Sequence, residues 1–384
     1  MTLRACAYPA LILILLGVLA LAAPSLDTNL SSRRLQWLLK RDTTMNITLV
    51  RDNAVLIAMR SWELGTLAEA LTELEYPSLS VLASPIVTNV VDVYPSDVVS
   101  IAVAVLSAKP SWSLALISSD TSVGDPCSIG PAMLLANWTF NDASFSSAAY
   151  GQLTYLLSYA PRSSSGAISH RTDQVQLWSD FVYMAPPFIA YYGALADSLD
   201  LLQQAYNQVV LYRQELFDED VGLWRHVTLG GWQDTNHWAT VRNGWAAAGM
   251  LRVLMTIRGS TQASGVWAYQ QPSGAILNYI DVDPASTFTD ASSTALLAAT
   301  TFRFATLTGD QTHAEAAARA YAFVQSSVDA NGWLWGTTDV LTWSVPSATG
   351  VASPEGQSFV LLMQAAYDAW RTALQLEIAN SIVF

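Results

Sequence analysis

Two carboxyl groups, two imidazoles and one guanidinium have the type and spacing to do chemistry in this chain. Asp180 lies in Leu177-Trp178-Ser179-Asp180-Phe181-Val182-Tyr183-Met184, one acid enclosed by aromatic and aliphatic side chains. Enclosure strips hydration from a carboxyl, which favours the neutral form and raises the pKa towards a proton donor's range. The same residue could instead cap the helix that follows. Asp125, in Gly124-Asp125-Pro126-Cys127, reads first as a cap, because Asp then Pro before an apolar run is a common helix start. Cleaving a glycosidic bond needs one carboxyl able to give a proton, usually with a second nearby. His170 and His226 end two similar segments one repeat apart, so equivalent placement would aim both at a shared axis. Trp238, Arg242 and Trp245 open a further helix. Aromatic faces stack on sugar rings and a guanidinium fork binds a carboxylate, although tryptophans also fill cores and an Arg also sits in solvent.

The elements that must position these residues are helices. Apolar residues recur at three and four spacing, as in Leu201, Leu202, Ala205, Val209 and Leu216. The pattern predicts helices over about 50–77, 96–107, 128–137, 145–159, 177–194, 197–216, 243–258, 292–307, 312–328 and 355–375. Ser96-Asp97 opens one of them and Thr308-Gly309 closes another; Val-rich pieces near 86–94 could be short strands. Between helix pairs a glycine, an apolar residue and a short extended run recur. Gly166, Gly222, Gly274 and Gly332 follow one another at 56, 52 and 58 residues, a length that holds two helices and their loops. Repeats of that period mean stacked or closed units. Roughly six fit the chain, which predicts an all-α (α/α)6 toroid whose inner helices make a funnel rimmed by the glycine loops.

Composition excludes several classes. Only 13% of residues are charged while 52% are hydrophobic, and 14 Trp, 15 Tyr and 11 Phe leave ample area for a core, so disorder is excluded. A net charge of −13 repels nucleic acid and anionic lipid. Arg4 followed by an apolar run from Ala10 to Ala23 is too short to span a bilayer and suits a signal-peptide core. We therefore expect a signal peptide over 1–22, an extension over 23–45 that Lys40-Arg41 could release, and a single catalytic domain over 46–384. A secreted protein with no membrane attachment after cleavage is expected, and the sequons at Asn29, Asn46 and Asn137 agree as glycosylation sites. Cys6 leaves with the signal, so Cys127 has no intramolecular partner. Two cysteines and four histidines give no zinc-type spacing, and neither a metal nor an organic cofactor is expected.

Gly166-Ala167-Ile168-Ser169-His170-Arg171, the Trp178-Ser179-Asp180 block running on to Pro186-Pro187-Phe188, Gly222-Leu223-Trp224-Arg225-His226 and Trp238-Ala239-Thr240 leading to Asn243-Gly244-Trp245 together resemble the unsaturated glucuronyl and rhamnogalacturonyl hydrolases of glycoside hydrolase families 88 and 105, in a secreted, fungal-like member. The resemblance is strongest over about 120–260, and weaker at Asp290-Ala291-Ser292-Ser293 and Ser353-Pro354-Glu355-Gly356-Gln357. It implies an (α/α)6 barrel and an enzyme that removes a 4,5-unsaturated uronic acid from the non-reducing end of oligosaccharides made from pectin or rhamnogalacturonan. In that reaction Asp180 protonates C4 and water adds at C5. The resemblance carries Asp125 over as the second acid, His226 as a substrate contact and Trp238 as a stacking platform. With Arg242, Trp178, His170 and Trp245 these form the expected substrate-binding set. One departure stands out: where many bacterial members place an Arg two residues after the Trp, this chain has Thr240, and Val241-Arg242 intervene before Asn243. An inverting glycosidase using Asp180 and Asp125, and a non-catalytic carbohydrate-binding protein, are the alternatives.

Overall fold

The apolar periodicity resolves into a closed double ring of helices. The computed structural model describes residues 45–82, 94–236, 238, 240–257, 267, 269–280, 282–339, 341–342 and 344–382. In chain order the helices are α1 (Ile47–Ile57), α2 (Ser61–Glu75), α3 (Ser96–Ala108), α4 (Gly130–Phe140), α5 (Ala143–Thr154), α6 (Phe181–Met184), α7 (Pro186–Leu195), α8 (Leu199–Leu216), α9 (Thr240–Ile257), α10 (Ala291–Thr308), α11 (Ala314–Ser327) and α12 (Pro354–Ile382). Going round the inner ring, α2 packs on the turn Asp125–Ile129 that leads into α4; that turn packs on α6 and α7, these on α9, α9 on α10, α10 on α12, and α12 back on α2. Outside lie α3 and α5 against α4, α8 against α7, α11 against α10 and α1 against α12. The toroid expected from the glycine period is therefore the architecture observed, and the chain's first and last described helices close it.

Two expected helices are broken for local reasons. The run at 50–77 splits into α1 and α2, because the Glu63 carboxylate turns back to accept the N–H groups of Met59 and Arg60 at 2.8 Å each and so starts a new helix. The run at 177–194 begins with a two-residue strand, β1 (Leu177–Trp178). It is then interrupted before Pro186, which lacks an N–H and is tolerated only as the first residue of α7. Thr308-Gly309 does end α10, with Gly309 left-handed at φ 77°. The Val-rich piece near 86–94, the leader and most of the extension up to 45, and Asn29 fall largely or wholly outside the described residues. Asn46 is described as the cap of α1, accepting from Leu49 N at 3.2 Å, and Asn137 lies half-buried in α4.

The repeated loops share one device. Gly166, Gly222, Gly274 and Gly332 all have φ between 72° and 93°, a conformation costly for any residue with a Cβ. Two residues after each, a buried backbone N–H is accepted by a side chain of a neighbouring helix. Ile168 N donates to Gln208 Oε1 (2.8 Å), Trp224 N to Asn243 Oδ1 (2.8 Å), Ile276 N to Thr294 Oγ1 (3.0 Å) and Leu334 N to Gln357 Oε1 (2.7 Å). Four residues after the first two glycines stand His170 and His226, both buried. The bore behind the loops is filled by Arg252 of α9, which reaches to Glu69 and Glu73 on α2, with Arg303 of α10 on the far side of Glu73.

Candidate active site

At one end of the ring the starts of the inner helices surround a cavity of about 280 Å³. Trp62 comes from the first turn of α2, Asp125 from the turn before α4, and Asp180 and Met184 from the start and end of α6. Arg242 and Trp245 come from α9, Ser292 from α10 and Glu355 from α12. Helix N-termini carry partial positive charge, so this convergence favours an anion in a molecule whose net charge is −13. Arg60, Arg171 and Arg242 line the same cavity and add to that preference.

Strand pairing brings the acid and the imidazole together. The strand β1 pairs antiparallel with Val227–Thr228, and Ser179 N donates to the carbonyl of His226 at 2.9 Å. Asp180 follows directly, so its Oδ2 lies 3.4 Å from His226 Nε2. The opposite ring nitrogen, Nδ1, is 2.9 Å from Asp234 Oδ2. An ionised carboxylate only accepts, so Nδ1 carries hydrogen and Asp234 orients the ring towards Asp180. Arg242 Nη1 approaches Asp180 Oδ1 at 3.6 Å. On the other side, His170 Nε2 is 3.5 Å from Asp125 Oδ1. Trp178 stands between the two imidazoles, stacked on His170 at 4.9 Å and edge-on to His226 at 5.2 Å. Ser122 Oγ accepts the N–H groups of Gly124 (3.1 Å) and Asp125 (3.0 Å), fixing the turn that presents Asp125.

The electrostatics reverse one expectation. Burial does push Asp180 upward, but Arg242 first and then His226 outweigh it and hold the carboxyl well below its ordinary value. Asp180 is therefore ionised in this cavity, because the enclosing aromatic residues come with a cation that the local sequence did not reveal. Asp125 goes the other way. Burial, then the neighbouring Asp120 and Asp180 charges, raise it well above the ordinary range, against the smaller pull of Ser122 and Arg171. His170 is lowered to about 4 by burial, with Arg171 and His226 adding to that against the opposing Asp180 charge, and is neutral. Neither acid serves its helix as a cap: no side-chain cap bond is made from Asp180 to α6, and the cap position of the 125–129 turn belongs to Gly124. Two carboxyl groups with pKa values driven apart are the arrangement that acid–base chemistry uses.

Of the expected set, Asp125, Asp180, His170, Trp178, Arg242 and Trp245 line the cavity, and His226 abuts it through Asp180. Trp245 also packs on Tyr183 and Phe359, so it serves core and cavity together. Trp238 is not among the cavity-lining residues; its half-buried ring lies 5.2 Å beneath the Arg225 guanidinium. The departure at Thr240 has a clear consequence: Thr240 is buried and bonds the carbonyl of Leu277, while Arg242 supplies the guanidinium in the cavity. Sequence reasoning missed Asp234, Arg60, Trp62 and Glu355. Asp234 sits in a Gly-rich loop with no helical period to mark it, whereas Glu355 and Trp62 could have been found as polar or aromatic residues in the first turn of an inner helix. Among the described residues no group of three His, Cys, Asp or Glu side chains is placed to hold a metal ion, and no helix is long and apolar enough to cross a membrane.

The profile of Glycosyl Hydrolase Family 88 matches residues 124–341, a span that includes both carboxyl groups, both imidazoles and Arg242. The chain belongs to glycosyl hydrolase family 88. It is a glycoside hydrolase on the six-hairpin fold of that family. A possible member of the GH105 family from Klebsiella pneumoniae is similar in structure at TM-score 0.68 and 16% identity, over 90% of this chain and 95% of that one. A family 105 glycoside hydrolase from C. acetobutylicum gives TM-score 0.66 at 12% identity, over 85% and 99%. An unsaturated glucuronyl hydrolase specific for heparin gives 0.61 at 12%, over 87% and 97%. No curated protein matches the sequence.

Proposed function

We propose that this family 88 hydrolase removes a 4,5-unsaturated uronic acid from the non-reducing end of pectin- or rhamnogalacturonan-derived oligosaccharides by hydrating its enol ether. The observation that carries the reading is the Arg242–Asp180 pair, 3.6 Å apart, inside a cavity ringed by helix N-termini. A guanidinium beside a carboxyl is what a uronate reaction requires, one group to hold the sugar's carboxylate and one to act on the adjacent double bond.

Before substrate binds, a proton favours Asp125, which is raised, over Asp180, which is lowered. A uronate docking on Arg242 divides that cation's charge between two carboxylates and places an anion beside Asp180. Both changes raise Asp180, which then takes up a proton. Asp180 then protonates C4, water adds at C5, and the carboxylate left behind takes the proton of that water. The resulting hemiketal opens and releases the aglycone. His226, aimed by Asp234, holds the Asp180 carboxyl in place, and Trp178 offers its ring to the sugar. The signal-like run at Ala10–Ala23 and the sequons support a secreted enzyme that meets its substrate outside the cell.

A second reading has its own support. A neutral Asp125 facing an ionised Asp180 also suits an inverting glycosidase, with Asp125 as acid and Asp180 as base towards water. Incubation with lyase-generated oligosaccharides separates the two. The hydration route destroys the ultraviolet absorbance of the conjugated enol ether as sugar is released. Release of saturated sugar with that absorbance unchanged would instead select the inverting route.

A further inference from the structure

Glu355 is an acid the mechanism above does not use. It is the second residue of α12, a position where acids ordinarily stand in solvent and complement the helix dipole. Here it is 8% exposed and lines the cavity beside Arg242. Its placement is fixed from below. Ser353 Oγ accepts Gly356 N at 3.0 Å, and Gln357 Nε2 donates to the carbonyls of Gly332 (2.9 Å) and Val50 (3.2 Å). A Cβ at Gly356 would lie 3.2 Å from Ser292 Cβ, so the first turns of α12 and α10 press together with Glu355 between them and the cavity. Its Oε2 is buried and has no hydrogen-bond partner among the described residues. A buried polar oxygen without a partner is costly, and a ligand in the cavity would satisfy it.

We propose that Glu355 is a specificity-determining residue, whose Oε2 binds a hydroxyl of the sugar ring held against Arg242. A hydroxyl suits because it both gives and accepts a hydrogen bond, whereas a sugar amine would face Arg60, Arg171 and Arg242 in the same cavity. Burial, with Glu63 of α2 adding, raises the Glu355 carboxyl to about 8, against opposing contributions from its own N–H, Ser353 and Arg242. The other titratable or charged groups that line the cavity are Arg60, Asp120, Asp125, His170, Arg171, Asp180 and Asp339, and α10 lines it with Ser292. Below that range Glu355 is a neutral donor and acceptor. Above it the group ionises, loses its hydrogen and sets a negative charge near the uronate.

The inference rests on the cavity being the uronyl site, and the test separates the two claims. With a lyase-generated unsaturated disaccharide, Glu355→Ala should raise KM about tenfold, the value of one lost buried hydrogen bond, with kcat within a few-fold of the parent. Glu355→Gln keeps a neutral donor and acceptor. It should leave KM near the parent's at pH 6.5 and abolish the rise in KM that the parent shows between pH 7 and 9. Calorimetry with glucuronate, which shares the ring hydroxyls next to the anomeric carbon, reads affinity without turnover. Weaker binding by Glu355→Ala than by Glu355→Gln supports the proposal even if the disaccharide is not hydrolysed, an outcome that would count against the hydration reading alone. Parent-like KM and glucuronate affinity in Glu355→Ala, or a parent-like pH rise in Glu355→Gln, would overturn it. If Glu355→Ala does not fold, the pH dependence of Glu355→Gln decides.

Discussion

Arg242 and Asp180 face each other at 3.6 Å in the cavity, and this contact is the largest of those that hold the Asp180 carboxyl below its ordinary value. Replacing Arg242 by Ala leaves Asp180 with burial and two imidazoles, so its pKa must rise. Asp180 then takes up its proton at higher pH, so the acid limb of kcat/KM should move to higher pH in Arg242→Ala. KM should rise by at least about tenfold as the uronate loses a charge-assisted partner. The pH–rate profile of parent and variant checks both. Arg242→Lys should recover little, since a point charge does not reproduce the fork.

Asp234 reaches Asp180 through His226, whose Nδ1 lies 2.9 Å from its Oδ2. Asp234→Asn removes the carboxylate that accepts the Nδ1 hydrogen, so the ring loses the contact that aims Nε2 at Asp180. We expect kcat to fall about 10- to 100-fold, as for other partners that orient a working imidazole, with KM and melting temperature little changed. An unaltered kcat would show that the orientation of His226 does not matter.

The buried acids give the fold an unusual pH dependence. Glu69 is raised to about 7, chiefly by burial against the pull of Arg252, and Glu355 to about 8. Each binds a proton more tightly folded than unfolded, so the native state holds more protons between the ordinary carboxylate value and these raised ones. These two groups therefore make stability fall as pH climbs from about 4.5 to 8, against His170, whose lowering to about 4 adds stability up to about pH 6.5. Asp180 works oppositely, adding stability that is lost only as pH falls below the ordinary Asp value. The melting temperature should be several degrees higher at pH 5 than at pH 8, and Glu355→Gln should flatten part of that slope.

The loop clamps carry stability. Gln357→Leu removes the acceptor of the Leu334 N–H and a donor to the carbonyls of Gly332 and Val50, and should cost about 1–3 kcal/mol in chemical denaturation. Gly274→Ala should do comparable harm, since φ is 93° there and a Cβ would lie 2.3 Å from the Arg319 carbonyl oxygen.

Much of this was legible in the sequence because the repeat is. Four glycines at near-equal spacing mark left-handed turns that only glycine takes easily, and the helices between them follow an ordinary apolar period. Asp180, Asp125, His170 and His226 were readable because they stand at fixed offsets from those turns or open inner helices. The sign of the Asp180 shift was not readable, because Arg242 is 62 residues away in the chain and only the packing of α9 against α6 brings it near. The place of Trp238 was not readable either: opening a helix says nothing about which side of the loop a ring occupies, and this ring lies against the Arg225 guanidinium. Glu355 was hidden in plain view, since an acid in a first turn usually signals only a solvated helix start.

The central claim is that Asp180 gives the proton to the sugar's double bond and takes it back from water. The direct measurement is loss of enol-ether ultraviolet absorbance on a lyase-generated unsaturated oligosaccharide, comparing the parent enzyme with a folded Asp180→Asn variant. The account predicts rapid loss with the parent and a kcat lower by at least about 10²-fold in the variant, the low end for a removed acid–base group. Parent-like turnover by Asp180→Asn would contradict it.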